Sequence, residues 1–476
     1  MRVCVVLSGV GEKGDALITF QQFSSCAGVV EKVVIAPPGV ELGGMWRTYT
    51  TPYPESTEAL GKIFAQSSAD CLMWVDMRRV AGISPEAVMR CVSTVEDADC
   101  ALIYADYTEH PVNDYEPGSL RDTFDFGPFL FFNRKRLDFK NSRPYRYAGL
   151  YELRLALSRQ GPFVHLREPL GRRKMVADRE RERFSYLDSA NREYQKEMEA
   201  VATEHLKAIE AYLPPHFFPL PPDKCPYPVE ASVIIPVRNR VLTIREAVES
   251  ALSQKAPFLF NVIVVDNHST DGTSQLLSEL ARKYENLLVL RPERDDLNIG
   301  GCWNLAVSSP HCGRFAVQLD SDDIYEHSYA LEMLVELLRS GPYAMVVGAY
   351  KLVDMDGKVL PPGLIDHREW TEENGRNNAL RVEGFGAPRA FRTGVLRQIP
   401  FPNVSYGEDY AVALKISRLY RVGRIFDSLY LCRRWEGNSD ARLTPEKENS
   451  YHAFKDRLRT LEIMARKLLN RGVVHE

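Results

Sequence analysis

The second half of the chain repeats one pattern: a short apolar run, typical of a buried strand, is followed at once by a polar loop. Such runs occupy residues 232–236, 261–266, 287–290 and 314–319, and amphipathic stretches of helical period follow the first two. Thr243 and Glu246 have the spacing of a capping box at the start of the first of these helices. Strands that alternate with helices predict an α/β fold, in which ligands bind at the carboxyl ends of the parallel strands.

The first half shows a similar alternation. Apolar runs again predict strands, at residues 3–7, 32–36, 71–75 and 100–104, and a helical stretch lies at 56–66. Residues 177–213 are charged, are rich in helix formers and carry an apolar stripe, which favours packing against one domain over a coiled coil. The segment from Pro214 to Pro228 contains too many prolines for a regular element and predicts a stiff connector.

The length of 476 residues exceeds one typical domain. We therefore predict two tandem Rossmann-like α/β domains, at residues 1–176 and 229–476, joined by a helical and Pro-rich linker at 177–228. A hydrophobic content of 45% beside 26% charged residues supplies enough apolar material for two cores.

Charge and cysteine content exclude several classes of protein. The net charge of -4 and the lack of a Lys/Arg run argue against nucleic-acid binding. The start MRVCVVLSG lacks the pattern of a signal peptide, and no apolar stretch approaches the roughly 20 residues of a membrane span. The nine scattered cysteines, without a C-x-x-C pair, predict reduced thiols and a cytoplasmic protein. A peripheral contact with the inner face of the membrane stays open, as does the oligomeric state.

An acidic loop follows the run at 314–319: Asp320, Asp322 and Asp323 stand within four residues. Like charges this close repel each other unless a cation or hydrogen-bond donors compensate them. Hard oxygen ligands on a short loop suit Mg²⁺ or Mn²⁺, which a diphosphate helps to coordinate. The plainer alternative is a solvated acidic loop in which one Asp caps a helix.

Three further polar loops follow strand-like runs, at residues 236–240, 266–273 and 298–301. Taken singly, the second is an ordinary turn with an N-cap, and the third is either a glycine turn or a close approach of the backbone to a ligand. Together the four loops stand at consecutive strand ends, in the order expected of a site for a nucleotide diphosphate.

These segments resemble the family-two glycosyltransferases, which have the GT-A fold, a Rossmann-like fold with a mixed sheet. The resemblance covers residues 232–440 and rests on the motifs SVIIPVRNR, VVDNHSTDGT, NIGGCWNLA, LDSDD, GFGAPRAF, GEDY and RRWEGNS. It implies transfer of a sugar from a nucleotide-diphosphate sugar with inversion, by single displacement.

The resemblance also implies roles for particular residues. The donor-binding residues would be Pro236, Arg238, Asn239, Asp266, Asn267, Gly300, Gly301, Asp320 and Arg434. The ligands of a divalent cation, Mn²⁺ or Mg²⁺, would be Asp320 and Asp322, with the neighbouring Asp323 as a third candidate. Many uridine-using members differ at Arg238 and Asn267, which leaves the nucleobase open. Leu431 departs from the motif of processive synthases, which favours transfer of a single sugar.

The pair Glu408-Asp409 opens a predicted helix. Two acids are common at a helix N-terminus for electrostatic reasons alone. By resemblance, Asp409 would be the general base that accepts the proton of the acceptor hydroxyl, and Glu408 would orient the site. Phe385, Gly386 and Trp435 would contact the acceptor, although both aromatic residues fit a core role equally well.

The first half repeats the order of these motifs. Leu72–Val80 aligns with Ala316–Ile324, so Asp76 matches Asp320 while arginines replace the next two acids. We therefore predict a duplication whose first copy, residues 1–176, is a degenerate GT-A-like domain without catalysis. Two unrelated α/β domains are the alternative.

The sequence thus predicts a metal-dependent inverting glycosyltransferase that moves one sugar to a glycan, lipid-linked or protein acceptor. Its expected role is the synthesis of cell-surface polysaccharide or glycoconjugate. A non-catalytic protein that binds sugar nucleotides or carbohydrates is the first alternative. A sugar-nucleotide nucleotidyltransferase is disfavoured because the loop at 236–240 lacks the glycines that would hold a triphosphate.

Overall fold

The computed structural model describes residues 1–11, 13–23, 26, 28–40, 46–137, 143–174, 191–223, 226–438, 441 and 443–473. These residues form two compact units. The first unit comprises the residues up to 174 together with 191–212 and 444–463, and the second comprises 213–443 and 464–473. Within these described ranges, no helix is both long enough and apolar enough to cross a bilayer.

The first unit contains eight strands and five helices of its own. Its strands are β1 (Val3–Ser8), β2 (Val29–Ala36), β3 (Arg47–Thr50), β4 (Cys71–Asp76), β5 (Val80–Ile83), β6 (Leu102–Tyr107), β7 (Leu130–Asn133) and β8 (Phe163–Arg173). Its helices are α1 (Lys13–Gln22), α2 (Thr57–Gln66), α3 (Ala87–Ala98), α4 (Gly149–Leu157) and α5 (Arg192–Ala208). These counts refer to the described part of the chain.

The second unit continues the numbering. Its strands are β9 (Ala231–Val237), β10 (Phe260–Asp266), β11 (Leu287–Leu290), β12 (Phe315–Gln318), β13 (Ile324–Tyr325), β14 (Tyr343–Val353), β15 (Val359–Ile365), β16 (Arg389–Arg392) and β17 (Arg421–Arg433). Its helices are α6 (Ile244–Leu252), α7 (Thr273–Lys283), α8 (Ile299–Ser308), α9 (Ala330–Ser340), α10 (Gly375–Asn378), α11 (Thr393–Leu396) and α12 (Glu408–Leu419). The last helix, α13 (Pro445–Asn470), belongs to the first unit up to Ile463.

Both sheets have the same strand order. It is β3-β2-β1-β4-β7-β6-β8-β5 in the first unit and β11-β10-β9-β12-β16-β14-β17-β13 in the second, where β15 pairs with β14 outside that path. The parallel and antiparallel pairings also agree strand for strand. The predicted α/β class with two mixed sheets is therefore confirmed.

The residue register of the two sheets also agrees. The first register pairs between the central parallel strands are Val3 with Cys71 and Ala231 with Phe315. Counted along the chain from these pairs, Asp76 and Asp320 hold equivalent positions at the carboxyl ends of β4 and β12. The sheet geometry thus supports the alignment that the sequence suggested for this loop.

A tyrosine near the start of one helix makes the same hydrogen bond in each unit. Tyr151 on α4 donates its hydroxyl to the carbonyl of Leu120 at 2.5 Å, and Tyr410 on α12 donates to the carbonyl of Ala379 at 2.6 Å. The spacing from tyrosine to carbonyl along the chain is the same in both units. The correspondence therefore extends from the sheets to a helix and its supporting loop.

A glycine before the antiparallel strand is a third shared feature. Gly127 and Gly386 both have positive φ, +70° and +92°, which favours glycine because it lacks a Cβ. A Cβ on Gly127 would collide with the carbonyl oxygen of Ala105, and one on Gly386 would collide with the imidazole of His367. Both turns thus require glycine for two reasons: the backbone has a positive φ, and a Cβ atom would collide with a neighbouring group.

A buried charged cluster holds the last helix within the first unit. Asp456 on α13 accepts hydrogen bonds from Arg121 at 3.1 Å, Arg459 at 2.7 Å and the hydroxyl of Ser119 at 3.2 Å. All three charged side chains are at most 3% exposed. Buried charges of this kind need their partners, because an unpaired ion in the interior is costly.

Most of the predicted strands and helices are found, but the end of the linker helix and the predicted capping box differ. Residues 177–190 of the predicted linker helix lie outside the described residues, and α5 ends at Ala208, packed against α4. The capping box is wrong: the hydroxyl of Thr243 donates to the carbonyl of Ser321 at 3.0 Å and caps no helical N–H group. Glu246 instead pairs with Arg433, so tertiary partners have replaced the local ones.

Candidate active site

The loop after β12 brings Asp320 to the carboxyl edge of the second sheet. Strand β12 is fully buried between β9 and β16, so the chain emerges into a polar environment only where the strand ends. The carboxylate of Asp320 accepts a hydrogen bond from the amide of Gln318 at 2.9 Å, and its backbone N–H donates to the hydroxyl of Tyr430 at 3.1 Å. Burial, together with the negative charges of Asp322 and Asp409, raises the pKa of Asp320.

Asp322 is held by the loop that follows β17. Its carboxylate accepts hydrogen bonds from the indole N–H of Trp435 at 3.2 Å and from the amide of Asn438 at 3.1 Å. The guanidinium of Arg240 lies 3.9 Å from the same oxygen. The predicted acceptor residue Trp435 therefore also positions Asp322, and Asn438 is a site residue that sequence reasoning missed.

Asp323 points away from this edge. Its side chain is 4% exposed, and its carboxylate accepts the backbone N–H of Arg433 at 2.7 Å. Burial, then the charges of Asp320 and Asp322, raise its pKa well above the usual range. Asp323 therefore anchors the loop to β17, and its place in the ligand set stays a prediction.

The N-terminus of α12 supplies the second pair of acids. Glu408 and Asp409 open this helix directly after Gly407, whose φ is +78°. Burial and the charge of Asp409 raise the pKa of Glu408 to about 8, and one of its carboxyl oxygens is buried without a hydrogen-bond partner. Asp409 forms an ion pair with Arg389 and accepts the N–H of Tyr410 at 2.7 Å.

Arg389, the first residue of β16, is the centre of this charge arrangement. The carboxyl groups that act on its guanidinium are those of Asp409, Asp320 and Glu408. Burial lowers the pKa of this guanidinium, but the surrounding carboxyl groups raise it further, so the side chain stays protonated. The sequence analysis gave Arg389 no role beyond its place in the motif GFGAPRAF, since nothing in the local pattern marks it as the counter-ion of distant acids.

Three predicted donor-binding residues lie near the end of β9 and in the loop that follows it. Pro236 is half-buried, and the side chain of Arg238 is exposed. Asn239 has a φ of +55° and accepts the N–H of Thr270 through its side chain at 2.8 Å, while its own N–H donates to the hydroxyl of Ser269 at 3.0 Å. Asn239 therefore fastens this loop to the next one.

Two more predicted donor-binding residues, Asp266 and Asn267, lie at the end of β10 and directly after it. Asp266 is 1% exposed and accepts hydrogen bonds from the N–H of Ser269 and the hydroxyl of Ser274, so it serves its own loop. Asn267 is 7% exposed; its amide N–H donates to the carbonyl of Leu297 at 2.7 Å, while its side-chain oxygen is buried without a partner. An unpartnered acceptor at a strand end fits a contact with an N–H group of a ligand.

Comparison with known proteins identifies the second unit. Residues 232–399 match the sequence model described as Glycosyl transferase family 2. This segment is a family 2 glycosyltransferase domain. The match contains the strand-end loops, Asp320, Asp322 and Arg389, whereas Glu408 and Asp409 follow it.

Two relatives illustrate the likeness. The chain is 28% identical over 240 residues to the poly(ribitol-phosphate) beta-glucosyltransferase of Bacillus spizizenii, covering 48% of this chain and 36% of that protein. It is 26% identical over 226 residues to the poly(ribitol-phosphate) beta-N-acetylglucosaminyltransferase TarS of Staphylococcus aureus, covering 45% and 38%. The structure of residues 1–349 of S. aureus TarS with UDP is 25% identical, with a TM-score of 0.39 and coverage of 49% and 65%. The chain thus spans little more than a third of the length of these curated relatives.

The two glycines of the family 2 domain that were predicted to approach the donor have another role. Gly300 and Gly301 lie in the first turn of α8, where a Cβ would collide with the carbonyl of Pro402 and the side chain of Asn403. They let the helix pack closely against the loop before α12. Their predicted contact with the donor stays a prediction, and the packing links α8 to the segment that carries Glu408.

The predicted acceptor residues separate in the structure. Phe385 is 1% exposed and packs against the rings of Trp370 and Tyr410, so its ring has no surface for stacking, which corrects that prediction. Gly386 forms the tight turn before β16. Arg434, predicted to contact the diphosphate, is half-buried and donates its backbone N–H to the carbonyl of Val353 at 2.7 Å.

A divalent cation fits two of the predicted ligands. Across the described residues, no three His, Cys, Asp or Glu side chains converge as a protein-only metal site. Asp320 and Asp322 remain half-buried at the strand end. Burial first, and then the charges of Asp322 and Asp409, raise the pKa of Asp320, and a cation would compensate those charges. Two carboxylates completed by diphosphate oxygens form a common Mg²⁺ site.

Proposed function

We propose that the family 2 domain transfers one sugar from a nucleotide-diphosphate sugar to a hydroxyl group of a glycan, lipid-linked or protein acceptor, with inversion. The observation that carries this proposal is the ion pair between Arg389 and Asp409, with Asp320 and Glu408 within electrostatic reach of the same guanidinium. It supports a site in which a carboxylate for a cation lies near a carboxylate that can accept a proton. The likeness to glycosyltransferases acting on poly(ribitol-phosphate) supports a role in cell-surface polymer synthesis.

In this proposal Asp409 is the general base. The acceptor oxygen attacks the anomeric carbon, its proton passes to the carboxylate of Asp409, and the bond from that carbon to the diphosphate oxygen breaks. The ion pair with Arg389 holds the carboxylate in one orientation, and the bond from the N–H of Tyr410 fixes its second oxygen. Positioned proton transfer of this kind typically accelerates a reaction by about 10²–10⁴-fold.

Glu408 has a different role because it holds its proton. With a pKa of about 8, its carboxyl group is mostly protonated at neutral pH and can donate a hydrogen bond. Its unpartnered buried oxygen leaves capacity for a hydroxyl group of the acceptor or donor sugar. We therefore assign Glu408 to orienting a substrate hydroxyl, while Asp409 takes the proton.

The cation would be held by Asp320 and Asp322 together with the donor diphosphate. A bound Mg²⁺ or Mn²⁺ neutralises charge that develops on the leaving diphosphate. Trp435 and Asn438 keep Asp322 oriented for this purpose. The open oxygen of Asn267 is assigned to the nucleobase or ribose, and the exposed Arg238 to the rim of the same pocket.

We propose further that the first unit is a degenerate copy without transfer activity. The shared strand order and the equivalent tyrosine hydrogen bonds support a common origin. At the positions of Asp322 and Asp409 it carries Arg78 and Leu150, so it lacks both the second cation ligand and the base. The scattered cysteines, without a C-x-x-C pair, also favour a reducing, cytoplasmic location.

The test is a donor panel with the purified full chain. Release of nucleoside diphosphate from UDP-glucose, UDP-N-acetylglucosamine and GDP-mannose is measured with Mn²⁺ and with EDTA, in the presence of poly(ribitol phosphate) as acceptor. We expect acceptor-dependent release from one donor and its loss with EDTA. Asp409→Asn should lower release by about 10²–10⁴-fold, because the amide cannot accept the proton.

Two controls separate chemistry from binding. Asp409→Asn should still bind the donor in a calorimetric titration, and Asp427→Asn, an exposed acid of the same unit, should release nucleotide at the wild-type rate. An Asp409→Asn protein with unchanged turnover would refute the assigned base. Donor binding without release from any donor would favour a non-catalytic sugar-nucleotide-binding protein.

A further inference from the structure

The first unit contains a cleft of about 140 Å³, enough for several water molecules, at the carboxyl edge of its sheet. The end of β4, the segment Phe124–Leu130, the start of α4 and one face of α5 line it. Among its lining residues, Asp76 is equivalent by strand register to Asp320 of the second unit, and Leu150 is equivalent to Asp409 because each directly precedes the shared tyrosine. The first unit has therefore kept an opening where the second has its candidate active site.

A guanidinium occupies the position that a cation would take in this cleft. Arg78 contacts both carboxylate oxygens of Asp76 at 2.8 Å and also pairs with Glu55. In the second unit the residue equivalent to Arg78 is Asp322, the proposed second ligand of the cation. A diphosphate bridged by a divalent cation therefore does not fit here, since the arginine repels the cation and satisfies the carboxylate.

The remaining lining combines aromatic rings with charged groups of both signs. The rings are those of Trp74, Tyr107, Phe124, Phe126, Phe129, Tyr151 and Tyr194. The carboxylates lining the cleft outnumber the arginines, which disfavours a free anion as the ligand. Charged groups at the same surface equally disfavour a purely apolar ligand. Aromatic walls with a few polar groups suit a molecule that has apolar faces and many hydroxyl groups.

Arg154 supplies a specific reason to expect a polar ligand. It lies on α4, is 5% exposed, and stacks on the rings of Tyr151 and Phe126, 4.7 Å and 5.2 Å from their centroids. One end of its guanidinium donates to the carbonyl of Arg121, while its Nε–H is buried without a partner. A buried unpaired donor is costly, and a ligand hydroxyl that accepts its hydrogen bond would remove that cost.

We propose that this cleft binds one pyranose ring of an uncharged saccharide. The ring's carbon face packs against the aromatic wall near Tyr194, and hydroxyl groups pair with Asp122, Asp125 and Arg154. This second carbohydrate site needs no cation and no nucleotide. This binding does not depend on the transfer activity proposed for the second unit, since the saccharide is bound and undergoes no reaction.

The test is saturation-transfer NMR on the full chain with methyl glucopyranoside, methyl galactopyranoside and methyl N-acetylglucosaminide, without nucleotide or metal. We expect transfer to the ring protons of at least one glycoside. Tyr194→Ala should raise the dissociation constant about tenfold, because it removes an aromatic wall. Tyr49→Ala is the matched control: this tyrosine is also half-buried in the first unit but lies outside the cleft, and its loss should change nothing.

Further variants and competing ligands test whether the saturation-transfer signal comes from this cleft. Asp122→Asn should also weaken binding, whereas Asp409→Asn and saturation with UDP and Mn²⁺ should leave it unchanged. Displacement of the glycoside by UDP and Mn²⁺ would place the signal in the second unit and overturn the proposal. Displacement by inorganic phosphate, an unchanged dissociation constant in Tyr194→Ala, or no transfer from any of the glycosides would overturn it as well.

Discussion

Replacing Arg389 by alanine should destabilise the second unit, because it removes the ion pair with Asp409. A double-mutant cycle can measure the energy of that ion pair without an activity assay. The side chain of Arg389 is 13% exposed and that of Asp409 is 29% exposed, so the ion pair lies between surface and interior. Exposed pairs contribute about 0.2–1 kcal/mol, whereas breaking a buried pair costs about 3–5 kcal/mol. We expect about 3 kcal/mol for Arg389→Ala and about 2 kcal/mol for Asp409→Asn.

The double variant should cost about 3 kcal/mol, well short of the sum of the single changes, which gives a coupling energy of about 2 kcal/mol. Urea unfolding followed by tryptophan fluorescence supplies the free energies. Hydrogen exchange of peptides from β16 and α12 assigns the transition to the second unit. Additivity within about 0.5 kcal/mol would refute the view that Arg389 holds Asp409, and with it the assignment of Arg389 as a positioning residue.

Two predictions concern the stability of the first unit. Asp456→Ala should lower its free energy of unfolding by about 3–5 kcal/mol, because the guanidinium groups of Arg121 and Arg459 lose a buried counter-ion; the exposed Asp97→Ala should change it by less than about 0.5 kcal/mol. Gly127→Ala should cost at least about 1–2 kcal/mol from backbone conformation alone, and a urea midpoint equal to that of wild type would contradict the turn described above.

The arrangement of strands could be predicted where the sequence pattern is local. Residues 232–236 and 261–266 became β9 and β10 because a run of buried apolar residues fits a strand covered on both faces. The polar loops could also be placed, since the carboxyl ends of parallel strands meet at one edge. Asp320 and Asp409 follow from this reasoning and from the motifs, and the structure brings them within electrostatic reach of each other.

Roles set by distant partners could not be predicted. Nothing near Arg389 in the sequence indicates that its guanidinium pairs with an acid on another element, and Asn438 gives no local sign that it holds Asp322. Thr243 fits the local pattern of a capping box, yet its hydroxyl bonds the acidic loop instead. Gly300 fits a ligand-binding loop by composition, but the packing of α8 decides its role. In each case a tertiary contact outweighs the local preference.

The guanidinium of Arg78, which pairs with Asp76 and Glu55, gives the first unit a counter-charge that is covalently part of its own chain. A bound metal ion can be removed by a chelator or exchanged for another ion, whereas the guanidinium of an arginine side chain cannot dissociate. On the proposed function, a chelator would remove the cation of the second unit and leave the guanidinium of the first unit in place. Replacing Arg78 by an acid would bring three carboxylates together, and they would repel one another.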